Sequence, residues 1–108
     1  MDEKNYVQKL LAISKKLDLD KIRNINNSEE YNPFEGSPKR HPTNENILIL
    51  IVNPFENNKQ FYEFHLDTIA AVEEIGTLTS NDNNSVYQIR VWVKKGSMAV
   101  KSETFIVQ

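Results

Sequence analysis

The sequence predicts a small α+β domain: an N-terminal amphipathic helix followed by a roughly five-stranded antiparallel meander, open or partly rolled into a barrel. Three observations carry this. Apolar residues recur at helical spacing between residues 3 and 17, the stretch 24–45 is polar and holds three of the four prolines, and from Asn46 onward the apolar pattern takes the period of two that belongs to extended chain. A chain of 108 residues suits one domain, divided into a helical segment (1–23), a connector (24–45) and a β domain (46–108).

In the helical segment Val7, Leu10, Leu11 and Leu17 fall on one stripe with Tyr6 and Ile13 at its edges, while Lys9, Lys15 and Lys16 lie mostly off it. Asp2 stands where it can cap the start, and Leu19, Ile22 and Ile25 extend the apolar pattern through a looser second turn. A lone helix of this length is marginal in water, so it should dock on another part of the molecule or on a partner. In the connector, Asn, Ser, Glu, Gly and the prolines Pro33, Pro38 and Pro42 favour turns and extended chain over a packed element. It is either mobile or pinned to the body by its aromatics, Tyr31 and Phe34.

The β region opens with Ile47-Leu48-Ile49-Leu50-Ile51-Val52, apolar on both faces and so read as a central strand. Asn53-Pro54 ends it, and Gln60 to Leu66 follows as a strand with Tyr62, Phe64 and Leu66 on an oily face and Phe61, Glu63 and His65 on a mixed one. Residues 67–76 read either as a short helix capped by Asp67 and closed by Gly76 or as the start of a strand from about Ala71 to Thr79. The strand is preferred, because Glu73 and Glu74 oppose a helix dipole and because the tip Ser80–Ser85 needs a long strand on each side. In Val86–Lys94, Tyr87, Ile89, Val91 and Val93 alternate with Gln88, Arg90, Trp92 and Lys94. After a turn at Lys95-Gly96-Ser97, Ala99–Val107 reads as a single last strand with Phe105 and Val107 on one face and Val100, Thr104 and Ile106 on the other.

Composition excludes several chemistries. With no cysteine there is no disulfide, thiolate nucleophile or thiolate metal site. Net charge is −2 and the longest cationic runs are pairs, which argues against a binder of the phosphate backbone. The charged start Met1-Asp2-Glu3-Lys4 is unlike a secretory leader and the longest apolar run is far short of a membrane span, so the expectation is a cytoplasmic protein with no membrane contact. The abundance of Asn, Lys and Ile is what a low-GC bacterial genome produces. His41 and His65 are isolated, no glycine-rich phosphate loop exists, and no serine stands in a nucleophile elbow. The nearest thing to an acid/base set is Asp67, Glu73 and Glu74, read as a solvated strand edge. No cofactor and no small-molecule ligand is expected.

Trp92, the only tryptophan, shares a face with Arg90, Gln88 and Lys94. Either the helix packs over that face and buries it, or Trp92 and Arg90 form an exposed pair of the kind that interaction hot spots favour. The four residues are therefore the candidate partner-binding set. Asn-Pro-Phe-Glu occurs at 32–35 and at 53–56, each read as a turn whose Phe anchors it to the body. In outline the meander resembles SH3-like and Sm-like barrels, and Phe61–Glu74 resembles part of a pleckstrin-homology-type domain; these are analogies of shape and carry no function. The functional expectation is a small non-catalytic interaction or adaptor module binding a protein partner or itself. The alternatives are a weak single-stranded nucleic-acid binder stacking bases on Phe61, Tyr62 and Trp92 with Arg90, Lys94 and Lys95 on phosphates, and, behind it, an enzyme.

Overall fold

The computed structural model describes residues 2–14 and 30–108, with side chains in the helix described for 4–12. The elements in chain order are α1 (Asp2–Ser14), β1 (Tyr31–Arg40), β2 (Ile47–Ile51), β3 (Phe61–His65), a 3-10 turn (Leu66–Thr68), β4 (Ile69–Thr79), β5 (Ser85–Lys94), β6 (Met98–Lys101) and β7 (Glu103–Ile106). The strands form one antiparallel sheet of seven, in the order β4-β5-β1-β2-β3-β6-β7. Helix plus antiparallel sheet agrees with the α+β reading. The strand count of five is corrected to seven, and the meander is corrected as well, because β5 pairs with β1 and β3 with β6 so that β4–β5 sits at one end of the sheet; the two extra strands have separate causes.

The first is β1, which occupies most of the expected connector and lies inside the sheet. Two prolines in a central strand look forbidden, since proline donates no ladder hydrogen bond. The register removes the conflict. Residues 31–36 pair with β5 and residues 37–40 pair with β2, so the strand changes partner midway. Pro33 has only β5 beside it and Pro38 only β2, and each stretch has one unpaired side towards which a proline nitrogen can point. Each half of β1 is locally an edge strand, which composition alone does not reveal. The second extra strand comes from a reversal at Ser102. There Lys101 pairs with Glu103, and Ser102 sits alone between them with φ of 65°. No glycine, proline or asparagine marks that turn. Because one residue makes the reversal, the expected alternation still holds: Phe105 faces inward and Thr104 and Ile106 face out.

The sheet rolls over on itself at the partner switch. Phe34 on β1 and Phe105 on β7 are four strands apart, roughly 19 Å in a flat sheet, yet their ring centroids lie 6.5 Å apart. Phe34 also meets Phe64 at 4.9 Å and Tyr62 at 5.1 Å. Gly36 stands at the bend. A β-carbon there would lie 2.6 Å from the Ile51 carbonyl oxygen and 2.9 Å from Leu50 Cγ. The far end of the roll is tied down where the Gly96 N–H donates to the Val107 carbonyl and the Val107 N–H donates to the Ser97 carbonyl.

The inside of the roll is the core. Leu48, Leu50 and Phe64 from one half meet Ile89, Val91 and Val93 from the other, all fully buried. α1 completes it: Tyr6, Val7 and Leu10 are buried in the same cluster, next to Ile69 and Val72 of β4, with Leu11 packed against it. Tyr6, expected at the stripe's edge, is therefore a core residue, and the Arg40 guanidinium lies 4.6 Å above its ring. Burial as a whole raises the Tyr6 hydroxyl pKa, with Arg40 opposing, and that hydroxyl has no hydrogen-bond partner among the described residues. The side chain of Ile13, Leu17 and the extension through Leu19, Ile22 and Ile25 lie outside the described residues.

β4 and β5 extend beyond the roll as a two-stranded arm. Glu74–Thr79 is exposed throughout, and Ser85–Gln88 has no β1 partner beside it. The strand reading of residues 71–79 and the tip at Ser80–Ser85 both hold, and Ser80 Oγ closes the tip by accepting from the N–H groups of Asp82 and Asn84.

Two outcomes test this packing. Gly36→Ala forces a methyl group against a strand carbonyl that cannot move alone, so it lowers stability by about 2 kcal/mol or more, read as a fall in the urea midpoint. Tyr6→Phe removes an unpartnered buried hydroxyl and leaves stability at neutral pH unchanged or higher. A raised phenol pKa means the folded state keeps a proton that the unfolded state releases near pH 10. Wild-type stability therefore declines as pH rises through and above that value, and the decline is smaller in Tyr6→Phe.

Candidate functional site

The structure places Gln88, Arg90, Trp92 and Lys94 on one face of β5, outside the roll. The core cluster that receives α1 is on the opposite face, so the helix does not cover Trp92. Nor is Trp92 a free aromatic. It is half-buried, with fully buried Ala71 and exposed Pro33 as its cross-strand neighbours, and its indole N–H donates to Glu73 Oε1 at 2.8 Å.

Arg90 is held as firmly. Register sets Glu73 on one side of it and Glu35 on the other. Nε and Nη2 reach Glu35 Oε2 at 2.8 and 2.7 Å, and Nη1 reaches Glu73 Oε1 at 3.3 Å. The hydrogen bond to Glu35 raises the guanidinium pKa, against the lowering effect of burial, so the charge is spent within the fold. Gln88 Oε1 accepts from Ser37 Oγ at 3.2 Å, and Lys94 is exposed. The expected site is a cross-strand polar network with two of its four members committed to carboxylates.

Glu73 requires a correction. A solvated edge was expected for Asp67, Glu73 and Glu74, but Glu73 is only 8 % exposed. Its cross-strand position beside Arg90 and Trp92 supplies the donors that make a buried carboxylate tolerable. Asp67 and Glu74 are exposed, as expected. The two Asn-Pro-Phe segments also part ways. The first is strand, with Phe34 among the core rings; the second is the expected turn, built by Asn53, but its Phe55 is exposed.

A second outward face was not singled out by the sequence. Direct cross-strand pairs set Lys39, Ile49, Glu63, Val100 and Thr104 in one row across β1, β2, β3, β6 and β7. Flanking rows pair Ile51 with Phe61, Ile47 with His65, and Met98 with Ile106. Met98 is 59 %, Ile106 48 % and Phe61 40 % exposed, and the three isoleucines are half-buried. β2 is thus apolar on both sides, and among the described residues only its inner side is covered. A shallow depression of about 590 Å³ opens on this face between Ile47, Glu63, His65, Asp67, Met98 and Thr104. No hydrogen bond links Glu63, His65 and Asp67, and among the described residues no three His, Asp or Glu converge on a possible metal position. The signal for this face was in the sequence: a strand greasy on both sides, followed by Phe61, Met98 and Ile106 at outward parity.

The network is tested by removing its cation. Arg90→Met takes the guanidinium from beside a nearly buried carboxylate and lowers stability by about 2–3 kcal/mol. Lys94→Met on the same strand face stays within about 0.5 kcal/mol of wild type. Denaturation followed by Trp92 fluorescence reads both.

Among the described residues no helix is long and apolar enough to cross a membrane. No family model matches the chain, and no curated protein and no solved structure matches it either.

Proposed function

We propose that this chain is a small non-catalytic interaction module whose contact surface is the outer face of β2, β3, β6 and β7. The observation that carries the reading is the group Ile47, Ile49, Ile51, Phe61, Met98 and Ile106, gathered by register on one outward face with its most prominent members exposed. Scattered exposed apolar residues need no explanation, but a contiguous patch on a small domain is the usual mark of a binding surface. The β5 face suits the role less, because its Trp92 N–H and Arg90 guanidinium already have partners.

The same surface does not suit a nucleic acid. Its central charge is Glu63, which repels phosphate, and Tyr62 turns inward onto the aromatic core.

The test is retention of proteins from a native lysate on immobilised chain. Ile49→Lys weakens retention at least tenfold, whereas Lys94→Glu on the β5 face leaves it intact. Full retention by Ile49→Lys together with loss in Lys94→Glu would reject the surface. Unchanged Trp92 fluorescence shows that each variant is folded.

A further inference from the structure

We propose that the occupant of this face is a second copy of the same chain, seated sheet to sheet about a two-fold axis that runs along β2. The inference rests on the proposed contact surface and adds its partner. What selects a second copy is charge. Glu63 sits half-buried in the middle of the apolar group, so any covering surface must bring it a cation or leave a carboxylate stranded. The chain carries that cation in the same row. Lys39 and Glu63 are the two cross-strand neighbours of Ile49, one on each side.

A two-fold axis along β2 through Ile49 reverses the row across the interface. Lys39 then faces the second copy's Glu63, Glu63 faces its Lys39, and Ile49 faces Ile49. Ile47 and Ile51 likewise meet their own counterparts, which covers the outer side of the all-apolar strand. An axis along β3 would set Glu63 against Glu63, and an axis along the row would set Lys39 against Lys39; both juxtapose like charges. Sheets stacked face to face lie about 10 Å apart with strands nearly aligned, a gap that a lysine and a glutamate reaching from opposite sides can close. A net charge of −2 opposes the meeting of two copies only weakly.

Size sets the strength. With the axis on β2, the strands β1 to β3 of one copy overlie β3 to β1 of the other, a strip on the order of 10 by 15 Å, well below the roughly 800 Å² per partner of a standard stable interface. The dimer is therefore a weak one that forms only at high protein concentration.

Sedimentation of the full chain over a concentration series tests this. Wild type is expected to pass from monomer to dimer, and Ile49→Lys to remain monomeric. Lys39→Glu alone and Glu63→Lys alone each weaken the dimer tenfold or more. An equimolar mixture of these two single variants regains near-wild-type association, because both cross-interface pairs are again opposite in charge. That rescue also shows that neither variant lost its fold. A wild type that stays monomeric to millimolar concentration overturns the proposal, as does a dimer indifferent to the single charge reversals or a mixture no better than its components. If wild type is monomeric yet Ile49→Lys loses a different retained protein, the contact surface stands and only the second copy is rejected. If Ile49→Lys changes neither oligomeric state nor retention, both fail.

Discussion

The architecture depends on one close approach, that of Gly36 to the carbonyl of Ile51. It lets β1 leave β5 and join β2 within a single strand, and the sheet turns over at that point. The roll has three consequences. It creates an inside, where Phe34 reaches rings on β3 and β7. It leaves room for α1 to cover the core beside β4. It also defines an outside divided between β5 and β2–β3–β6–β7, so both outward faces follow from the bend.

The two outward faces handle their surfaces in opposite ways. On β5, polar groups are matched within the chain: one carboxylate oxygen of Glu73 accepts from both Trp92 and Arg90, and Arg90 is shared with Glu35. Such a network fixes strand register, because a slip of one residue would move Arg90 away from both carboxylates. On β2 and its neighbours the outward side chains are mostly apolar around Glu63, and among the described residues no element covers that side. A surface satisfied from within has little to offer a partner, whereas an unsatisfied one does.

Much of this was legible in the sequence, and the failures share a cause. Period-two alternation assigned Ile89, Val91 and Val93 inward and Arg90 and Trp92 outward, and helical spacing found Val7 and Leu10. What alternation cannot give is pairing. β1 was hidden because prolines disqualify a strand bonded on both sides, and only long-range register shows that each half of β1 is bonded on one. The break at Ser102 was hidden because a serine with positive φ leaves no compositional mark. Glu73 was misjudged because its donors come from a strand met seventeen residues later. The reading of Ile47–Val52 as a central strand holds, since β2 is the middle strand of the seven, but apolarity on both sides does not say whether the cover of the outer side belongs to the same molecule.

The β4–β5 arm gives the molecule two tiers of cohesion. Inside the roll, β5 is gripped by β1 as well as by β4, and its Ile89, Val91 and Val93 are sealed in the core. Past Gln88 the two strands pair only with each other, and beyond Tyr87, which still packs against the core, they form a hairpin of the kind that is marginal in water. Fraying from the Ser80–Ser85 tip can therefore run down to Gly36's partner, Ile89, and stop there. Amide hydrogens of the arm should trade with solvent long before those of the barrel wall, and a foreign sequence spliced into the tip should be carried without disturbing either outward face.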